Sequence, residues 1–212
     1  AVSFFTKQPE DKILAAREDP LEKLRCPDCN VILIGIDTLR ADHLSSYGYF
    51  RDTSPNIDKF AEKGVLFKNT FSASSRTTPS FMSIFTSLYP TDHGVLTTLA
   101  SDKQDRPMVA INYEIRTLPQ ILKNHGYKTY AMATSNQLSP ELGFGRGFDE
   151  FEIGTNYKKE RQDFLALLPQ LKAEKFFIFF HDIEPHDPYI PPFPYYSYYD
   201  PSPFGKSLVE NF

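Results

Sequence analysis

The sequence has no tryptophan, only two cysteines and three methionines, and no apolar run near the roughly 20 residues that span a bilayer. No stretch therefore reads as a transmembrane helix, and residues 1–25 lack the basic-then-apolar order of a signal peptide. A signal or anchor lying outside these residues would leave no trace in them. Positive charge is also short: 23 basic residues against 27 acidic ones give a net charge of −4, which offers no support for a general nucleic-acid surface. An anionic substrate would need local cationic help, most simply from a metal. The two cysteines form Cys26-Pro-Asp-Cys29, half of a four-ligand zinc site with no second pair to complete it. A local disulfide ranks first and free thiols second. Thioredoxin-like redox chemistry ranks well behind, because the pair precedes a strand where a redox pair would open a helix.

What the chain does have is 19 phenylalanines, 12 tyrosines and 17 prolines in 212 residues, a composition for one packed α/β domain with rigid aromatic loops. Residues 9–25 place Ile13, Leu14, Leu21 and Leu24 at near-helical spacing, which predicts a peripheral helix before the cysteine pair. Val31–Ile36 is a continuous apolar run of the kind buried on both faces of a parallel sheet, and it ends at Asp37. Ser54-Pro55 through Gly64 carries a hydroxyl cap, an early proline and a closing glycine, so it predicts a short helix, with a second strand over Val65–Phe71. Thr78-Pro79 opens a helix running to about Leu88, where Tyr89-Pro90 stops it. Residues 98–114 read as a surface loop, Thr117–Gly126 as a capped helix and Tyr127–Ala133 as a strand. Gly143–Asp149 reads as loop, residues 158–172 as an amphipathic helix and Phe176–Phe180 as a buried strand. This alternation argues for a mostly parallel sheet with helices on both faces, whose ligands collect beyond the carboxyl ends of the strands. Asp37 and the His181–His186 segment both fall at such ends.

Two segments carry candidate chemistry. Thr77-Thr-Pro-Ser-Phe-Met-Ser-Ile-Phe-Thr-Ser-Leu-Tyr-Pro-Thr-Asp-His-Gly94 sets a hydroxyl at a predicted helix start, where unsatisfied N–H groups favour an anion. A threonine hydroxyl is a poor nucleophile at neutral pH, but a bound cation acidifies water from 15.7 to about 7 and acts on an alcohol in the same sense. Asp37 is a suitable hard oxygen ligand for that cation. Read alone, Thr77 and Thr78 are also two candidates for one helix cap, and Asp37 simply starts a loop. His181-Asp-Ile-Glu-Pro-His-Asp-Pro-Tyr189 adds groups able to bind metal, accept protons or hold an anion; Pro185 rules a continuous helix out of it, so Asp182 and His186 converge only through a turn. Read alone, it is a polar, proline-stiffened loop. Tyr189–Tyr199 suits a substrate mouth, packing or an inter-chain contact equally.

Together these segments carry a resemblance. Val31–Tyr49 with Ile36-Asp-Thr-Leu-Arg-Ala-Asp-His43, then Ser54–Gly64, Thr77–Gly94 and His181-x-x-Glu-Pro-His-x-Pro-Tyr189, resemble in consistent order the N-terminal part of sulfatases and their relatives in the alkaline phosphatase superfamily. The resemblance implies an alkaline phosphatase/sulfatase-like α/β fold, incomplete here. Its expected divisions are residues 1–29 as an N-terminal helix and cysteine segment, 30–192 as the sulfatase-like domain and 193–212 as a Tyr/Pro-rich tail. By resemblance, Thr77 is nucleophile and metal ligand, Asp37 a metal ligand, His186 a metal ligand or substrate contact, Asp182 a further metal ligand and Asn136 a contact to the transferred group. The cofactor implied is a divalent metal: Ca, Zn, Mn or Mg. The partners implied are an anionic ester substrate and a missing C-terminal part of the same protein. That part would carry an Asp-His-Gly or Asp-Asn segment completing the metal site, a role Asp92-His93-Gly94 does not fill. An extracytoplasmic location is implied as well.

The departures from the family pattern narrow the chemistry. Sulfatases place a cysteine or serine, converted to formylglycine, where Thr77 stands, and an arginine where this chain has Phe81. They commonly pair two aspartates where this chain has Asp37 and Thr38, and their Gly-Lys-Trp-His stretch falls on Ala133-Thr-Ser-Asn136, without its cationic groups. A threonine in this setting resembles the phosphodiesterase and phosphoalcohol-transferase branches. The overall match points to sulfate esters and the nucleophile to phosphoryl transfer, so hydrolysis or transfer of either ester stays open. The alternatives are a catalytically inactive sulfatase-fold binding protein or fragment, and an interaction module built on the Tyr/Pro-rich tail.

Overall fold

In a computed structural model of the chain, which describes residues 26–96, 109–154, 156–171 and 174–189 and four isolated positions beyond, four strands form one sheet. They are β1 (Val31–Ile36), β2 (Lys128–Ala133), β3 (Glu150–Ile153) and β4 (Phe176–Asp182), ordered β1-β4-β2-β3. All pairings are parallel. The last strand in sequence is thus inserted between the first two. The helices are α1 (Pro55–Ala61), α2 (Thr77–Thr86), α3 (Pro90–His93), α4 (Leu118–Asn124) and α5 (Tyr157–Leu167).

Strand alternation divides the core between the two faces of the sheet. Phe177 and Phe179 of β4 join Phe81, Met82 and Phe85 of α2, with Leu118 and Leu122 of α4 packed against them. Phe176 and Ile178 turn the other way, toward Leu171 and the α5 side chains Phe164 and Leu167. Helices therefore cover both faces of β4, whereas Ile32 and Ile34 on one face of β1 are 43% and 54% exposed, so the first apolar run is not buried on both faces as expected. The α2 side carries a ring cluster: Phe85 meets Phe179, Phe144 and Phe148 at centroid separations of 4.9, 5.7 and 5.9 Å. Such pairs add to simple burial and fix side-chain directions.

The cysteine pair is a disulfide at the head of β1, so the first-ranked alternative holds. Tyr127 Oη donates to the carbonyl of Cys29, and Phe176 N donates to Asn30 Oδ1, tying this loop to the amino-terminal edge of the sheet. The opposite edge is left for Asp37. α4 starts as its sequence signals: Thr117 and Gln120 form a reciprocal capping box, and Gly126 follows with φ of 82°. Thr117 Oγ1 also donates to the carbonyl of Arg146 at 2.9 Å. This brings the glycine-rich loop down on the helix so closely that a Cβ at Gly147 would lie 2.2 Å from Gln120 N.

Three further expectations fail. Val65–Phe71 forms no strand; Val65 and Phe71 are 77% and 89% exposed. Its apolar run Val65-Leu66-Phe67 is broken by Lys68-Asn69-Thr70 before Phe71, so it has neither a period of two nor a neighbour in the sheet. Conversely, Glu150–Ile153 is an edge strand that no expectation named, and at four residues it is too short for periodicity to show. Finally, β4 does not end at Phe180 but runs on through His181 and Asp182, held by pairing with Gly35 and Ile36. The predicted helix over residues 9–25, much of the 98–114 loop and most of the 193–212 tail lie outside the described residues.

Candidate active site

Asp37 is the first residue past β1, and its N–H still donates to the carbonyl of Asp182 at 2.8 Å. The ladder therefore carries strand geometry one residue further, and alternation sends Asp37 to the α2 face with Val31 and Leu33. The next residue, Thr38, takes the left-handed region with φ of 56°, a costly conformation for a β-branched side chain. The chain turns sharply there, leaving the Asp37 carboxylate at the end of the sheet.

α2 begins at Thr77, two residues before the position its sequence suggests, with Arg76 as the flanking cap. Thr77 Oγ1 donates to Asp37 Oδ2 at 2.9 Å across a separation of 40 residues. The adjacent Thr78 is fully buried and donates to the carbonyl of Gln137, which fixes the helix start against the turn after β2. Thr77 and Thr78 thus do different jobs. Asp37, Thr77, Arg76, Ser80 and Ser83 line part of a cleft of about 620 Å³ that opens beside the helix start. Its hydroxyl-rich wall is completed by Ser72, whose Oγ lies 2.6 Å from Ser80 Oγ.

His181 approaches the same carboxylate from β4. Its Nε2 is 3.4 Å from Asp37 Oδ2, and the residue is 0% exposed. The ring is held edge-on by Phe81 at 5.0 Å, and Nδ1 lies 3.5 Å from Thr134 Oγ1. Burial pushes the Asp37 carboxyl up, but the His181 and Thr77 side chains beside it, with His186 further out, outweigh burial and hold it below the usual aspartate range. A buried carboxylate kept ionised is a ready cation ligand. The donors fit a divalent metal: a carboxylate and a hydroxyl oxygen meet at hydrogen-bond distance, with an imidazole nitrogen lacking any hydrogen-bond partner beside them. Among the described residues no three His, Cys, Asp or Glu side chains gather into a complete metal site.

The other sequence candidates fare differently. His186 lies on the turn after β4, with its N–H bonded to the Ile183 carbonyl at 2.8 Å, near enough to act on Asp37 electrostatically. Asn136 is exposed on the one-turn helix Asn136–Leu138, against which Thr78 anchors α2. Asp182 does not join the pair. Its alternation points it to the α5 face, where Arg161 Nε and Nη2 donate to Oδ2 at 2.9 and 2.6 Å and Oδ1 accepts from Glu184 N. With Glu184 it pairs with Arg161 and fastens α5 to the end of β4, apart from Asp37 and Thr77. His93 is buried at the end of α3, accepting from Val95 N at Nδ1 and meeting Ser83 Oγ through Nε2, so it pins the loop behind α2. Burial holds its imidazole below the usual range, consistent with a neutral ring. His181 is the residue that sequence reasoning left unassigned. Its signal was its place directly after five apolar strand residues, where alternation already put it on the face of Phe177 and Phe179.

The sulfatase family model matches residues 29–207 of the chain. An N-acetylgalactosamine-6-O-sulfatase of Bacteroides thetaiotaomicron is 39% identical over 61 residues, 29% of this chain and 12% of that protein. Iduronate 2-sulfatase of Homo sapiens is 36% identical over 104 residues, 49% of this chain and 18% of that protein. The chain's matches thus span less than a fifth of these relatives. Among solved structures, the phosphonate monoester hydrolase of Agrobacterium radiobacter superposes with a TM-score of 0.64 at 20% identity, covering 78% of this chain and 43% of that one. At that identity the likeness establishes the shared alkaline phosphatase/sulfatase fold.

Proposed function

The chain belongs to the sulfatase family, and from that premise we propose that it carries the nucleophile half of a metal-dependent hydrolase or transferase of sulfate or phosphate esters, with Thr77 as nucleophile. The observation that carries this reading is the 2.9 Å hydrogen bond from Thr77 Oγ1 to Asp37 Oδ2 at the mouth of the cleft. Asp37 and Thr77 are the residues that would hold a divalent cation, with His186 near enough to join them or meet the substrate. When bound, the cation lowers the pKa of the threonine hydroxyl and screens the charge of the ester.

Asp37 orients the Thr77 hydroxyl so that an oxygen lone pair faces the cleft. Attack at sulfur or phosphorus forms the threonine ester and breaks the bond to the substrate's alcohol, which leaves with a proton. Water or a second alcohol then displaces Thr77 and restores its hydroxyl. The free N–H groups at the start of α2 favour the anionic group during both displacements. Asn136, at the mouth of the turn tied to α2, is the proposed contact to that group. The relatives' names support sulfate esters and Thr77 supports phosphate, so both are tested. An extracytoplasmic location belongs to the same reading and is supported by the Cys26–Cys29 disulfide. No helix among the described residues is long and apolar enough to cross a membrane.

Thr77→Ala is expected to abolish turnover of aryl sulfate, phosphate monoester and phosphodiester by the full-length protein, by about 10⁴-fold or more, without loss of fold. Thr77→Ser should retain part of it. Unchanged turnover in Thr77→Ala removes Thr77 from the mechanism. A second reading, a binding protein without turnover, is favoured by Phe81: where the family places arginine, this ring is buried against His181. It predicts ester binding by the wild type with no product at any metal concentration.

A further inference from the structure

We propose that His181 is an additional ligand of the cation, acting through Nε2 beside Asp37 Oδ2 and Thr77 Oγ1. The proposal rests on the metal-dependent reading above and adds to it a residue from the centre of the sheet. Its first support is a polar atom without a partner: His181 Nε2 is inaccessible to solvent and makes no hydrogen bond. Buried polar atoms are overwhelmingly paired, and one left over marks a missing group.

The second support is the proton arrangement around the ring. Thr134 Oγ1 donates its only proton to the His181 carbonyl at 3.1 Å and accepts from Ile183 N at 2.9 Å. Toward the ring it can therefore only accept, so a ring proton on Nδ1 would face an acceptor 3.5 Å away, the tautomer in which Nε2 is free to bind a metal. In that tautomer Nε2 turns a lone pair toward a carboxylate oxygen that already accepts from Thr77. Two electron-rich atoms held face to face in a dry site repel unless a cation lies between them.

The third support is distance. The 3.4 Å from Nε2 to Asp37 Oδ2 exceeds the usual 2.7–3.2 Å of an N–H···O hydrogen bond. It matches the roughly 3.3 Å edge between two tetrahedral ligands that each stand about 2.0 Å from one metal ion. The ring cannot swing away to find another partner, because Phe81 and Phe179 hold it at centroid separations of 5.0 and 6.5 Å. An acceptor facing Nδ1 and a hydrophobic collar are what a metal-binding imidazole requires around it.

The test is zinc titration of the full-length protein, with zinc affinity read by competition against a chromophoric chelator and the histidine ring nitrogens followed by NMR. The expected results are a zinc-induced shift of His181 Nε2 with the proton kept on Nδ1, and a loss of zinc affinity of roughly a hundredfold or more in His181→Ala. Removal of outer-shell partners costs about 10- to 100-fold, so a loss beyond that range marks a ligand and a loss within it overturns the assignment. If Asp37→Asn abolishes zinc binding while His181→Ala binds like wild type, or if Nε2 carries a proton in the zinc-loaded protein, His181 is no ligand and the metal reading survives without it. If the wild type takes up no zinc, manganese, magnesium or calcium, both fall together. The NMR readout is made on the wild type, so it decides the role of His181 even where a variant fails to fold.

Discussion

A Cβ placed on Gly35 would lie 2.4 Å from Phe81 Cε1 and 2.7 Å from Cζ, so the absence of a side chain there is what allows the ring to reach His181. Gly35→Ala should therefore push Phe81 off its seat and cost about 1–3 kcal/mol, measured by urea denaturation. A variant as stable as wild type would show that the ring moves freely and does not set the position of His181. The same residues explain what the sequence discloses. Asp37 and Thr77 are legible because each sits at an element boundary marked by residue type: an apolar run ending in an acid, and hydroxyls followed by proline. His181 and Asp182 are not, because their roles depend on how far β4 extends. That length is set by pairing with β1, far away in sequence, and without that pairing the alternation of Phe176–Phe180 has no reason to continue onto the two side chains.

Among the elements, α4 shows a local signal that survives folding unchanged. Thr117 both caps its helix and binds the Arg146 carbonyl of the loop before β3, and it is fully buried. Thr117→Ala should cost about 1–2 kcal/mol in chemical denaturation, at the upper end for a cap, because a buried carbonyl is left unpaired as well. A loss near zero would mean that the loop relaxes to find water. α1, α2, α4, α5 and three of the strands are readable from caps, prolines and apolar runs, which are local. β3 escapes because its four residues owe their conformation to β2, and Val65–Phe71 misleads because strand-forming residues need a neighbour the sheet does not offer them.

For the molecule as a whole, two carboxylates link stability to pH. Asp149 is held below the usual range chiefly by Lys123, whose Nζ is 2.6 Å from Oδ1, with Thr129 bonded to the other oxygen. Asp37 is also lowered, burial being outweighed by its His181 and Thr77 neighbours. Both native values lie below the ordinary 3.8, so their contribution is fully present above that pH and is lost as pH falls through the depressed values. The urea midpoint should therefore drop between about pH 6 and about pH 3, and drop less in Asp149→Asn. Equal drops in both proteins would remove Asp149 from the acid response.

The insertion of β4 between β1 and β2 has a consequence in time. The contact from Asn30 to Phe176 closes a span of 146 residues, and Asp37 meets His181 only through the same pairing. Thr77 and Asp37 are made early by the ribosome, yet the wall that orients them arrives nearly a whole domain later. Contacts of such separation form slowly, so a newly made chain passes through a long interval with α1–α5 already made and Asp37 not yet met by His181. The Asp37–His181 contact is thereby withheld until β4 has been made and paired.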